Sequence, residues 1–411
     1  MNSNIYIREK YLKKIRGFYD AFDIIKVITG IRRCGKSTLM QMIITELENN
    51  GITSDSIIYI NLDKKDNKHI KKANQLENKI DNLITENKNY YLFIDEIQNV
   101  ENFEEVINSY REEGNISIFI TGSNSYLLSG ELITKLTGRY LEFEIFPLSF
   151  DEYTEMKKQF NKSINSNLLL ELNEYIINGG FPRAILFDNY EDKKTYTKGI
   201  VNEIFDKDIK KRVKIKDVDS FDIVKKFIIN NFGSSVSINS IQKSLSKNGV
   251  HITRTTIKKY ITTLVDSKVL YECERFDMKS KKILLNEKKY YLADLSIYFS
   301  LNTDIRINYG PCLENIIFLY AKSLGYEISV GRIGKLECDF ILRNNYMDYS
   351  YIQVAYTILE NKKTEDREYT PLELIKDNYK KYVMTTDYFL QKRNGIIHAN
   401  IMDFIINKEK F

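Results

Sequence analysis

Apolar runs punctuate the first third of the chain, at Ile24–Thr29, Ile57–Leu62, Tyr90–Asp95 and Ile116–Thr121, with another at Tyr140–Phe146. Short, nearly unbroken runs of this kind predict strands buried on both faces, and the helical patterns between them predict a parallel sheet covered on both sides. Pro147 closes this section. From Ser149 to about Lys214 the period turns helical, with one break at Asn178-Gly179-Gly180-Phe181-Pro182. Helices are then expected at Phe221–Asn231, Ile238–Lys247 and Arg254–Ser267, followed by strands Val269–Arg275 and Lys282–Leu285 around a polar tip. Three helices and a β-ribbon make the winged-helix order. The last section reads as a small mixed α/β domain: helix Cys312–Leu324, strands Tyr326–Val330, Glu337–Leu342 and Tyr349–Ala355, helix Pro371–Asp377, and strands near Tyr382–Thr385 and Gly395–Ala399. The pattern thus divides the chain into 1–148, 149–216, 217–303 and 304–411.

Composition narrows this reading only slightly. A chain of 411 residues has length for about three self-sufficient cores. The net charge of +5 is small for that length, so a nucleic-acid surface must be a local patch. Absent Trp and four Pro reflect genomic base composition rather than function. Four dispersed cysteines with no C-x-x-C pair, and three histidines, fit neither a disulfide framework nor a zinc site. The N-terminal residues carry no apolar signal region and no run of 18 apolar residues occurs, so a cytoplasmic protein without a membrane partner is expected.

The most specific chemistry lies at Gly30–Ser37, GIRRCGKS, a complete G-x-x-x-x-G-K-[ST] phosphate loop. It follows a predicted strand and opens an amphipathic helix, Thr38–Glu48, the context that phosphate cradling requires. Gly30 and Gly35 free the backbone to turn N–H groups inward, and the helix N-terminus adds its dipole. Lys36 is assigned to the β- and γ-phosphates of ATP and the Ser37 hydroxyl to Mg²⁺, with Arg33, Cys34 and Thr38 completing the nucleotide-binding set. Cys34 reads as a small spacer. Asp95 and Glu96 close the strand YYLFIDEIQ. Asp95 suits anchoring of Mg²⁺ and its waters, and Glu96 the polarisation of the attacking water. The next strand ends in Thr121-Gly122-Ser123-Asn124, and one polar side chain among Thr121, Ser123 and Asn124 is expected to contact water or phosphate. Arg139, in LTGRY, would face a neighbouring subunit's nucleotide in a ring, where a guanidinium stabilises transition-state charge. Arg183, beside the Gly-Gly-Phe-Pro break, either reaches the γ-phosphate or packs.

These motifs, with ITGSNSYLLSGEL, LTGRYLEFEIFPLSFDEY, NGGFPRA, KYYLADLSI, GPCLENIIF, ECDF and YIQVAY, resemble the bacterial and archaeal AAA+ ATPases that carry a C-terminal domain of unknown function. The resemblance runs from about residue 20 to 380. It implies an AAA+ P-loop core, a helical lid, a winged helix and a restriction-endonuclease-like domain, with the phosphate-loop, acidic, sensor and finger roles given above. The lid motif of that family often carries an acidic residue where this chain has Arg183.

Two further surfaces carry candidate chemistry. On the third predicted helix Arg254, Lys258 and Lys259 share a basic face opposite the stripe Ile257, Ile261 and Leu264, suited to a DNA groove. Lys279, Lys281 and Lys282 lie on the presumed wing. In the last domain a nuclease would draw acids from Glu314 and Asp339, Glu337 sharing the latter's strand face. Its third element reads Gln353-Val354-Ala355. Gln supplies no anionic Mg²⁺ ligand and Ala activates no water, so cleavage would need a lysine from elsewhere, such as Lys335. The sequence therefore predicts a Mg²⁺-dependent ATPase hydrolysing ATP between copies of a homo-oligomer and coupling nucleotide state to double-stranded DNA. The alternatives are a nucleotide-dependent signalling switch acting on a protein partner and an ATP-regulated nuclease.

Overall fold

Five strands, β1 (Ile25–Thr29), β2 (Ile57–Asn61), β3 (Tyr90–Asp95), β4 (Ile116–Thr121) and β5 (Tyr140–Glu144), form one parallel sheet in a computed structural model. Their order is β2-β3-β4-β1-β5. The structure describes residues 5–86, 88–122, 138–210, 215, 217–304 and 306–411. Every residue of β1, β3 and β4 is buried, whereas the edge strand β2 alternates and β5 is mostly half-buried. That is why the inner strands read as unbroken apolar runs: both of their faces carry helices. Helices α1 (Glu9–Ile15), α2 (Lys36–Asn49), α3 (Ala73–Asp81) and α4 (Phe103–Glu113) belong to the same part of the chain. Leu92, Ile94, Phe103, Ile107 and Ile118 share one core cluster, and each such side chain contributes about 1.5–3 kcal/mol by leaving water. On the β3–β4 pair, Phe93 and Phe119 stack at 4.5 Å. Lys26 is the exception within β1. Its ammonium donates to Ala21 O (2.7 Å), Ile24 O (2.9 Å) and Ser117 Oγ (2.8 Å), and burial pushes it down to about 7.

The chain divides into two units, Met1–Ile145 with Asp266–Lys268, and Phe146–Val265 with Val269–Phe411. The second begins with helices Phe150–Gln159, Leu168–Asn178 and Tyr190–Glu203. Ser149 caps the first of these reciprocally with Glu152. At the Asn178–Pro182 break, Gly180 N donates to the buried carboxylate of Asp294 (2.7 Å). Helices Val218–Asn230, Ile238–Lys247 and Arg254–Asp266 follow.

The ribbon after them differs from expectation. Strands β6 (Ser235–Val236), β7 (Leu270–Asp277) and β8 (Lys282–Leu292) do not stand apart from the last section. They join β9 (Glu327–Ile333), β10 (Leu336–Arg343), β11 (Tyr349–Val354), β12 (Lys380–Thr385), β13 (Lys392–Arg393) and β14 (Ile396–Asn400) in a nine-stranded mixed sheet. The parallel pair β7–β9, with Arg275 opposite Val330, makes the join. Strand β8 also runs to Leu292 rather than Leu285, because Lys289 finds acidic partners and can be buried. The helix predicted at Pro371–Asp377 spans Lys362–Leu374 instead. Asn361 starts it by accepting from Thr364 N (2.9 Å), and Pro371 lies inside. Helix Tyr309–Leu324 packs on this sheet. Among the described residues no helix is long and apolar enough to cross a membrane.

Candidate nucleotide site

In an open parallel sheet, loops after the carboxyl ends of the strands converge on the ligand. Here β4 lies between β1 and β3, so the phosphate loop, Thr121 and Asp95 leave three neighbouring strand ends. Gly30 has φ +141°, and a Cβ there would meet Ile145 O at 2.2 Å and Cys34 Sγ at 2.7 Å. Only glycine fits that approach. Gly35, at φ 109°, precedes α2 as its N-cap and lets the loop enter the helix. Lys36 is buried and its ammonium donates to the loop carbonyls of Gly30 (2.9 Å) and Ile31 (3.3 Å). Arg33, Ser37 and Thr38 are exposed. Cys34 is fully buried and burial pushes its thiol up, which suits a spacer rather than a nucleophile.

Asp95 is 1% exposed at the end of β3. Its Oδ2 accepts from Asn61 Nδ2 (2.9 Å) and Tyr59 OH (3.1 Å), and its Oδ1 accepts from the Thr121 hydroxyl. Thr121 also accepts from Glu96 N (3.2 Å), so one hydroxyl ties both acidic residues to β4. Thr121 is engaged in this way; Ser123 and Asn124 lie outside the described residues. Glu96 turns into the left-handed region (φ 61°, ψ 44°), and its carboxylate accepts from Gln98 Nε2.

Arg139 stands elsewhere. It precedes β5, whose Tyr140 pairs with Ile25 and whose Glu144 pairs with Thr29. The length of β1, about 15 Å at roughly 3.3 Å per residue, therefore separates it from its own phosphate loop. Arg183 is exposed on the second unit.

Three participants escaped the sequence reading. Arg8, 4% exposed, donates Nη1 to Cys34 O (3.1 Å) and lies 4.4 Å over the Tyr11 ring. A lone arginine in a polar stretch carries no signal for this. Tyr59 and Asn61 were legible in principle, as polar groups closing an apolar strand.

The other candidate clusters lie in the second unit. Arg254, Lys258 and Lys259 are exposed on their helix, while Ile257, Tyr260, Ile261 and Leu264 are buried on its other face. Arg254 Nε donates to Gln242 Oε1 (2.9 Å). Glu314 does meet a lysine, but Lys335 is exposed in the β9–β10 turn. The partner is Lys289 of β8, whose ammonium reaches Glu314 (3.0 Å) and Glu337 (2.8 Å). Arg275 adds a second cation on Glu337 (2.7 Å), and Tyr291 OH donates to Glu314 (2.9 Å). Asp339 accepts from Val354 N (2.8 Å), and its own N–H donates to Gln353 Oε1 (3.0 Å). Gln353 Nε2 then donates to Glu368 (3.1 Å). Burial, the largest cause, pushes the carboxyls of Glu314 and Asp339 up, against the Lys289 charge. Among the described residues no three acidic, His or Cys side chains are grouped so as to hold a metal ion.

A parallel sheet with a phosphate loop after β1 and acidic residues after β3 defines a P-loop NTPase of the AAA+ type. A family model described as an AAA domain matches residues 23–154, and a domain of unknown function (DUF8612) matches residues 169–306. The chain is 35% identical over 409 residues to an uncharacterized protein of Haemophilus influenzae, covering 99% of this chain and 100% of the relative. It is 34% identical over 357 residues to one of Methanocaldococcus jannaschii, covering 84% and 78% respectively. The Walker-type ATPase of Pyrococcus abyssi shares the fold at a TM-score of 0.53 and 15% identity, over 73% of this chain and 97% of that one. Residues 23–154 are thus an AAA+ domain of the P-loop type, and the chain as a whole belongs to one family with these uncharacterized relatives.

Proposed function

We propose that this protein is a Mg²⁺-dependent ATPase that hydrolyses ATP at an interface between its own copies and couples nucleotide state to contact with double-stranded DNA. The observation that carries the reading is the Asp95 carboxylate, buried at a strand end near the phosphate loop and held by the neutral donors Tyr59, Asn61 and Thr121. Neutral donors orient the oxygens and leave the negative charge for a cation, the task of a carboxylate that anchors Mg²⁺ and its waters. Lys36 and the α2 N-terminus supply positive potential for the phosphates, Ser37 a hydroxyl for Mg²⁺, and Glu96 a carboxylate for the attacking water. Arg139, remote from its own loop, serves a neighbouring copy. The exposed Arg254, Lys258 and Lys259 meet DNA phosphates.

The test is ATP turnover measured with and without duplex DNA, with oligomer mass determined in the same samples. Glu96→Gln should lower turnover at least a hundredfold, to a measurable residual rate, while ATP still binds, and Arg139→Ala should do the same only in the assembled form. Wild-type turnover in Glu96→Gln would overturn the catalytic assignment. Replacing Arg254, Lys258 and Lys259 by Ala should remove salt-sensitive retention on DNA. A second reading, a switch acting on a protein partner, is favoured by Tyr388, Phe389 and Leu390, which are 63%, 72% and 48% exposed in consecutive positions. Absence of DNA retention with every nucleotide would select it.

A further inference from the structure

The Glu96 carboxylate sits on a backbone that few non-glycine residues adopt. At φ 61° and ψ 44° it occupies the left-handed region, which costs a side chain with a Cβ of order 1 kcal/mol or more. Three constraints surround that turn. The Thr121 hydroxyl accepts from Glu96 N (3.2 Å), the short 3-10 turn Ile97–Asn99 begins immediately, and Gln98 within that turn donates Nε2 to Glu96 Oε2. Ile97 is wholly buried, which fixes the turn to the core.

We infer that Gln98 is a positioning residue for ATP hydrolysis: its amide aims the Glu96 carboxylate at the place of the attacking water. This rests on the reading of Glu96 as the water-polarising group. A glutamate side chain has three rotatable bonds, and on a kinked strand end its carboxylate samples many directions. Anchoring one oxygen through Gln98 restricts them and leaves the other oxygen for the water, the preorganisation on which general-base catalysis depends. The left-handed turn makes the pair feasible, because it brings residues 96 and 98 onto the same side of the chain.

The experiment compares Gln98→Leu, Gln98→Glu, Glu96→Gln and the double variant Glu96→Gln/Gln98→Leu in the full chain. It measures kcat and KM for ATP, binding of a fluorescent ATP analogue, and the melting midpoint. Gln98→Leu should lower kcat roughly tenfold with KM and analogue binding unchanged. Gln98→Glu should lower kcat further, since a second carboxylate then faces Glu96. In the Glu96→Gln background, Gln98→Leu should cost nothing more, the signature of two residues acting as a unit. A wild-type kcat in Gln98→Leu, the same fold loss in both backgrounds, or a loss matched by weaker analogue binding or a lowered melting midpoint would overturn the inference. Turnover that survives Glu96→Gln would instead overturn the assignment of Glu96, and the single variant alone reveals it.

Discussion

Replacing Lys289 by Met isolates the electrostatics of the second acidic cluster. The side chain is 5% exposed and its ammonium stands 3.0 Å from Glu314 and 2.8 Å from Glu337. The attraction of Glu314, Asp339 and Glu337 overcomes the burial that would lower it, so the ammonium stays charged above its usual range. Methionine keeps the volume and removes the cation, leaving Glu314 buried and uncompensated. Breaking a buried pair from one side costs about 3–5 kcal/mol, and a midpoint lowered by roughly 10 °C is expected for a unit of this size. The penalty should depend on pH. Burial already raises the Glu314 and Asp339 carboxyls, and without Lys289 both rise further, so acidification protonates them and removes the repulsion. Denaturant unfolding at pH 8 and pH 5 reads this directly: the destabilisation should shrink by at least half at the lower pH. Adding Glu314→Gln to Lys289→Met should recover most of the loss at pH 8. A penalty equal at both pH values, or one that the second substitution deepens, would refute the argument.

Gly30→Ala should weaken ATP-analogue binding at least tenfold, as its Cβ would meet the Ile145 carbonyl at 2.2 Å. Gly17→Ala, with nothing within 4 Å of its Cβ, should bind as wild type in the same fluorescence titration. Asp294 is fully buried and burial pushes its carboxyl up to about 6, against hydrogen bonds from Ser296 and Gly180 that lower it. The unfolded carboxyl ionises first as pH rises from about 4, so stability falls by about 3 kcal/mol up to about pH 6 and then levels. Asp294→Asn should remove that fall from the pH dependence of unfolding, and an unchanged slope would contradict it.

The first sheet was legible because its inner strands are buried on both faces, which the chain writes as continuous apolar runs. The phosphate loop was legible because its spacing is set by backbone geometry. What the sequence concealed were partnerships across long separations. The polar run Asn286-Glu287-Lys288-Lys289 gives no sign of continuing strand until Glu314 and Glu337 are seen around Lys289, so the expected strand ends at Leu285. Arg8 reads as an ordinary surface arginine until the Cys34 carbonyl is found 3.1 Å away. Pro371 reads as a helix start because proline favours the first turn, but the Asn361 cap ten residues earlier wins.

The acidic groups around Asp95 and around Glu314 are built from the same residue types and solve opposite problems. Around Asp95 the donors are a phenol, an amide and a hydroxyl, so the carboxyl group is oriented by neutral dipoles rather than by a cation. Around Glu314, Glu337 and Asp339 the chain supplies an ammonium and a guanidinium of its own, so the charge is already met from within. A divalent cation gains most where fixed dipoles hold an unneutralised carboxylate, and least where it must displace a buried lysine. Under the proposed function, this contrast favours the phosphate-loop site for Mg²⁺. It also predicts that Mg²⁺ should stabilise the Lys289→Met variant more than the wild type in the absence of nucleotide. Equal stabilisation of the two proteins would show that Lys289 is not what keeps a cation from the second cluster.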